Sequence, residues 1–188
     1  DELNYHTLTP IQRAAIPAVR KGKDVLASAQ TGTGKTAAFA LPVIQKLIES
    51  DLSTTNAPTA LVLAPTRELA EQIANNCKEY AKHTSLKVVS LFGGVNTAGQ
   101  ENALKAGVDI VVATPGRLLD HIRLGNLSLA NVKHLVLDEA DRMLDMGFIT
   151  DMQTVIKSCA DDRQILLFSA TFPAAIKQFA SKVLKQIV

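Results

Sequence analysis

The chain has no tryptophan, two tyrosines and six phenylalanines, so aromatics make up 4% of its 188 residues. That scarcity argues against a platform on which single-stranded bases stack, because such a platform needs aromatic side chains along a groove. Cysteine is as scarce. Cys77 and Cys159 are too few and too far apart for a metal site, and they read as buried free thiols in a reducing compartment. The four histidines, His6, His83, His121 and His134, share no metal-ligand spacing. Excess charge of one sign is missing too: 20 basic residues against 18 acidic ones leave +2, so any contact with a polyanion must be local. No apolar run reaches the ~18 residues that span a membrane. No signal peptide opens the sequence at Asp1, and there is no repeat or low-complexity tract. What remains is a globular chain of one-domain length, 47% hydrophobic and 20% charged, expected in the cytosol and without a membrane partner.

Six strand-like runs recur: 24–29, 60–64, 87–92, 109–113, 134–137 and 164–168. Most are continuous rather than alternating, as in Leu61-Val62-Leu63, Ile110-Val111-Val112, Leu135-Val136-Leu137 and Ile165-Leu166-Leu167. Continuous apolar runs suit strands covered on both faces, as in a parallel sheet. Helical stretches are predicted between them over 36–41, 68–82, 102–106, 117–123, 148–159 and 174–184. In the second of these, Leu69, Ile73, Cys77 and Tyr80 share one face. The segment 50–58, polar with a proline near its end, reads as a surface loop. Alternating strands and helices give an α/β fold, a three-layer α/β/α sandwich with a mainly parallel sheet.

Ligands of such folds bind beyond the carboxyl ends of the strands. Six chemically suggestive segments follow strands directly in this sequence. The first is Ala29-Gln30-Thr31-Gly32-Thr33-Gly34-Lys35-Thr36, between a strand and a helix. Its glycines let the backbone curl so that N–H groups point at phosphate oxygens, and the helix start adds unpaired donors. Lys35 can reach the β- and γ-phosphates and the Thr36 hydroxyl can ligate Mg²⁺, which makes this a nucleotide-binding loop. Ala29 stands where the general pattern has glycine. Asp138 ends a later apolar strand, where a second carboxylate holds Mg²⁺ beside Thr36. Glu139, next to it, can orient or deprotonate an attacking water. Two adjacent carboxylates at a strand end are costly unless a cation shares the site.

Asp138-Glu139-Ala140-Asp141 spells the name motif of the DEAD-box RNA helicases, and the other segments resemble that family's motifs in the family's order. Leu8-Thr9-Pro10-Ile11-Gln12 resembles the Q motif and Ala29 to Thr36 resembles motif I. Pro65-Thr66-Arg67-Glu68-Leu69-Ala70 resembles motif Ia, Gly93-Gly94 the GG motif, Thr114-Pro115-Gly116-Arg117 motif Ib and Ser169-Ala170-Thr171 motif III. The resemblance covers essentially the whole chain and is closest to the bacterial, RhlE-like branch. It implies a RecA-like, P-loop NTPase fold and an ATP-dependent RNA helicase. It also implies roles. Thr9 and Gln12 read adenine. Pro65, Thr66, Arg67, Gly94, Thr114, Gly116 and Arg117 line an RNA path. Asp141, Ser169 and Thr171 couple nucleotide state to domain closure. The two arginines can fork onto phosphate oxygens, contacts that carry no base code, so RNA binding is expected to be sequence-independent.

Each role has a plainer alternative: Gln12 as an exposed residue at a helix start, the arginines as surface ion pairs or helix-start residues, Ser169 and Thr171 as a turn capping the helix after Pro173. Arg142 and Phe148 could serve an interdomain face, or Phe148 could anchor a helix. The resemblance further implies a second RecA-like domain carrying arginine fingers. The 188 residues read as one N-terminal RecA-like domain with the second absent, a fragment expected to be monomeric and nearly inactive alone. Two other functions compete with the helicase reading: a DNA-directed ATPase of the same superfamily, and a nucleotide-dependent RNA clamp that turns over rarely.

Overall fold

A strand such as Leu61-Val62-Leu63 presents apolar groups to both sides and is stable only when both sides are covered. The computed structural model describes residues 10–28, 35–50, 57–94 and 97–185, and in it that cover is complete. The elements run α1 (Pro10–Arg20), β1 (Val25–Ser28), α2 (Lys35–Ser50), β2 (Ala60–Leu63), α3 (Arg67–Tyr80), β3 (Val88–Leu91), α4 (Thr97–Lys105) and β4 (Ile110–Ala113). They continue as α5 (Pro115–Arg123), β5 (His134–Leu137), α6 (Ala140–Asp145), α7 (Ile149–Ser158), β6 (Gln164–Ser169) and α8 (Ala174–Val183). The strands form one six-stranded sheet in the order β1-β6-β5-β2-β4-β3, and every pairing among the described residues is parallel.

Alternate residues feed two cores. On one face Leu61, Leu63, Leu135, Leu137 and Leu167 meet Leu104, Leu118, Met143, Met152, Ile176 and Phe179 from α4 to α8. On the other Val62, Val112, Val136 and Phe168 meet Val19, Phe39, Ile44, Ile73 and Cys77 from α1, α2 and α3. Two helical layers thus sandwich the sheet, as the continuous runs predict. Polar clamps close its first edge. Gln164 Nε2 donates to the carbonyls of Val19 (3.1 Å) and Lys23 (2.7 Å). The carboxylate of Asp24 accepts from the amides of Ile165 (2.8 Å) and Lys185 (2.6 Å). Three of these bonds tie the end of α1 and the turn before β1 to β6, and the fourth ties that turn to the chain beyond α8.

The structure adds two helices that the sequence pattern does not reveal, and it lengthens others. α1 begins at Pro10, a residue suited to a first helical turn, and buries Gln12, Ala15, Ala18 and Val19 despite Pro17 in its interior. α6 is six residues long, too short for a helical period to show. α2 passes through Pro42 to Ser50 because Phe39, Ala40, Val43, Ile44 and Leu47 bury one stripe against the sheet. Ser50 is therefore helical rather than part of the surface loop, and Pro58 at the loop's other end is buried. α4 starts at Thr97, five residues before the predicted onset at Asn102.

Candidate functional site

Because the strands are parallel and in register, with Ser28 beside Ser169, Leu137 beside Leu167, and Leu63 beside both Leu137 and Ala113, their carboxyl ends share one edge. Lys35 opens α2 at that edge, and its Nζ lies 2.7 Å from Asp138 Oδ1 at the end of β5. Both side chains are buried, at 5% and 0% exposure. The backbone holds Asp138 from two sides: its amide donates to the Leu63 carbonyl at 2.9 Å, and its Oδ1 accepts the Glu139 amide at 3.0 Å. Its other oxygen, Oδ2, is buried with no hydrogen-bond partner among the described residues. Burial pushes the Asp138 carboxyl above its usual value of 3.8, and the Lys35 ammonium pulls the other way. A buried carboxylate oxygen without a donor suits a hard cation, and Asp138 with the Thr36 hydroxyl is an oxygen set that fits Mg²⁺.

Glu139 is the only described non-glycine residue with positive φ, at φ 50° and ψ 52°. A left-handed backbone there costs roughly 1–2 kcal/mol for a residue with a Cβ. That twist turns the chain from β5 into α6. Arg142 Nη1 lies 3.6 Å from Glu139 Oε1, a loose contact at an exposed arginine. Asp141, in the first turn of α6, reaches across to the end of β6, where its Oδ2 accepts the Thr171 amide (3.1 Å) and hydroxyl (2.8 Å). Ser169 Oγ donates to the Thr171 carbonyl at 2.6 Å. Burial alone would raise the Asp141 carboxyl, but bonds from Thr171, the Arg142 amide and Ser169 hold it below 3.8. The two segments are thus joined as the resemblance implies. The capping alternative fails: Pro173 precedes α8 and no side chain caps that helix.

The residues of the implied RNA path follow β2, β3 and β4. Thr66 caps α3, its hydroxyl accepting the Leu69 amide at 3.2 Å. Pro65 is buried beneath it and Arg67 is exposed, its guanidinium 5.1 Å from the centre of the Phe92 ring. Gly94 has φ +83°, a backbone that favours glycine, and a Cβ there would stand 2.8 Å from Arg67 Nη1 and displace the guanidinium. Thr114 precedes α5 without forming a capping hydrogen bond, and Gly116 is open, with nothing within 4 Å of a Cβ. Arg117 Nη1 donates to Thr97 Oγ1 and Gln100 Oε1, both at 3.3 Å. The two arginines sit in the first turns of different helices, Arg67 against Phe92 and Arg117 against Thr97 and Gln100.

Gln12 is buried, at 5% exposure, rather than exposed at a helix start. Thr9 and the loop residues Ala29, Gln30, Thr31, Gly32, Thr33 and Gly34 lie outside the described residues. Phe148 packs on the core and so anchors its helix. Gln100, His121 and Asn126 form a polar network that motif reading passes over. Arg117 and His121 lie four apart on one helical face, but no sequence signal shows that this face meets Gln100.

A family model described as DEAD/DEAH box helicase matches residues 9–179 of the chain. The chain is 48% identical over 187 residues to the ATP-dependent RNA helicase DeaD of Escherichia coli (strain K12), covering 99% of this chain and 29% of that protein. It is 46% identical to the DEAD-box ATP-dependent RNA helicase RhpA of Helicobacter pylori (strain B128), covering 98% of this chain and 36% of the relative. These relatives are bacterial. A crystal structure of a DEAD box protein from Methanococcus jannaschii superposes with a TM-score of 0.89 at 40% identity, covering 100% of this chain and 50% of that one. The chain therefore spans about a third of the curated relatives it matches and half of that solved structure.

Proposed function

The chain belongs to the DEAD/DEAH box helicase family, and on that premise we propose that it is the N-terminal, ATP-binding RecA-like domain of an ATP-dependent RNA helicase. The observation that carries the proposal is the buried pair of Lys35 and Asp138 with its unpartnered Oδ2. This is a cation waiting for phosphate beside a carboxylate oxygen waiting for a metal. Lys35 exchanges its carboxylate partner for β- and γ-phosphate oxygens, and Thr9 and Gln12 hold the adenine. Asp138 and Thr36 would hold Mg²⁺, which when bound would neutralise charge on the phosphates. Glu139, on its twisted backbone, takes the proton of the attacking water. Asp141 passes the state of this site to Thr171 and Ser169 through the bonds already present. Pro65, Thr66, Arg67, Gly94, Thr114, Gly116 and Arg117 hold the RNA backbone without reading bases.

Phosphoryl transfer also needs cationic stabilisation of charge on the departing phosphates, which an arginine finger supplies at on the order of 10³–10⁵ in rate. We place that arginine on a second RecA-like domain, with this domain monomeric and nearly inactive by itself. The buried thiols, each pushed up to about 12 by burial, fit a reducing cytosol. No helix among the described residues is long and apolar enough to cross a membrane.

The test is ATP hydrolysis by the 188-residue chain, with and without single-stranded RNA, then with the separately made second domain. Little turnover alone, rising when that domain and RNA are both present, is the expected result. Strong RNA-stimulated turnover by the chain alone would overturn the composite site and direct attention to Arg117 and Arg142. RNA and DNA strands competing equally would point to a broader nucleic-acid substrate.

A further inference from the structure

Between α4 and α5 lies a chain of side-chain amides with only one consistent direction. It starts at the Phe92 carbonyl, which can only accept. Gln100 Nε2 donates to it at 2.9 Å, in a buried setting. That fixes the Gln100 amide, so its Oε1 must face the other way and can only accept. His121 Nε2 lies 2.8 Å from this Oε1 and therefore carries the proton. His121 Nδ1 is then an acceptor, and Asn126 Nδ2 stands 3.0 Å away to donate. The imidazole is fully buried, at 0% exposure. A second donor also reaches Gln100 Oε1: Arg117 Nη1, at 3.3 Å. Arg117 lines an open cleft of about 360 Å³ together with Thr97, Asp120, Arg123 and Leu124.

We propose that His121 is a positioning residue for nucleic-acid binding: it locks the Gln100 carbonyl oxygen in place, and that oxygen holds the Arg117 guanidinium at the cleft in the orientation a backbone phosphate requires. The same relay ends on Phe92, whose ring supports Arg67 and whose carbonyl precedes Gly93 and Gly94. One buried histidine thereby fixes the relative placement of two cations carried on separate helices. The arrangement is pre-organisation: a guanidinium already held costs less to order when phosphate arrives. This inference rests on the reading of Arg117 as a phosphate contact.

The experiment titrates a short oligouridine into the 188-residue chain at low salt, followed by NMR shifts, for the unaltered protein, His121→Leu, His121→Gln, Arg117→Ala and the His121→Leu/Arg117→Ala pair. His121→Leu is expected to weaken binding about tenfold, equivalent to one contact of ordinary size. It should also lower the slope of log affinity against log salt by about 0.7, one phosphate on a single strand. Affinity for ADP should not move. His121→Gln, whose amide can donate from the place of Nε2, should recover most of the loss. Adding His121→Leu to Arg117→Ala should cost no more than about twofold, because both act through one contact. A parent-like His121→Leu beside a weakened Arg117→Ala overturns the relay alone, as does a full additional loss in the double variant. An Arg117→Ala variant that binds like the parent overturns the phosphate reading and the relay with it. One further measurement needs no substitution and holds even if His121→Leu does not fold. The imidazole nitrogen shifts of the unaltered chain should report the Nε2–H tautomer, and an Nδ1–H tautomer would overturn the assignment.

Discussion

Asp138 shares one oxygen with Lys35 and leaves the other without a partner, both inside the protein. Removing Lys35 alone strands a carboxylate in a place where it cannot be hydrated. Breaking one side of a buried ion pair costs about 3–5 kcal/mol, whereas removing both partners often costs far less. Lys35→Ala is therefore expected to lose nucleotide binding and several kcal/mol of stability together. Lys35→Ala/Asp138→Ala should recover much of the stability and none of the binding. Urea unfolding and ADP titration of the two variants check this, and equal stability of single and double variants would contradict it. Lys35 was legible in the sequence at the end of a glycine-containing loop between a strand and a helix, and Asp138 and Glu139 were legible because they directly follow a strand end. The pairing of Lys35 with Asp138 was not, since it depends on how residues 103 positions apart are brought together by the sheet. Nor was the left-handed backbone of Glu139, as nothing in the residue type announces it.

At the scale of elements, the six strands were legible to within a residue or two because an apolar run covered on both faces leaves little freedom in where a strand can lie. The helices show where such reading stops. α1 and α2 both carry a proline that local propensity counts against, and in both the tertiary burial of one stripe prevails. Pro17 is exposed in the interior of α1, where it lacks the N–H that would bond to the Arg13 carbonyl. Pro17→Ala restores that donor without opening a cavity. The gain in helix propensity is up to about 3 kcal/mol, reduced by about 0.4–1 kcal/mol for the looser unfolded chain. A net stabilisation of roughly 1 kcal/mol or more is expected in thermal unfolding, and a lowered midpoint would mean that α1 needs its proline for shape. α4 and α5 reveal a different limit. Their helical character could be read, but the Gln100–His121–Asn126 relay between them could not, because it requires knowing which faces meet.

For the whole molecule, protonation is the simplest global probe. Burial, then Arg117, lowers the pKa of His121 below 6.5, against Glu101 and Asp120, which raise it. Burial likewise lowers His134, joined by Lys46 and Lys133 and opposed by its bond to Gln164 and by Asp162. With folded pKa values below the unfolded 6.5, both histidines contribute stability that is complete above 6.5 and lost as pH falls through their folded values. The unaltered chain should therefore lose stability relative to His121→Gln as pH drops from about 7 to about 5. Thermal midpoints of the two proteins across that range check the sign, and a constant gap would contradict it. The strand order has a further consequence, in time rather than in space. β1 pairs only with β6 among the described residues, Val25 beside Leu166, and Asp24 is tied to Lys185. Among the six strands, a ribosome delivers β1 first and its described neighbour β6 last. The inner strands can find one another while synthesis is under way, but the edge that carries Lys35 must wait until β6 has emerged, so competence to bind nucleotide follows completion of the sheet.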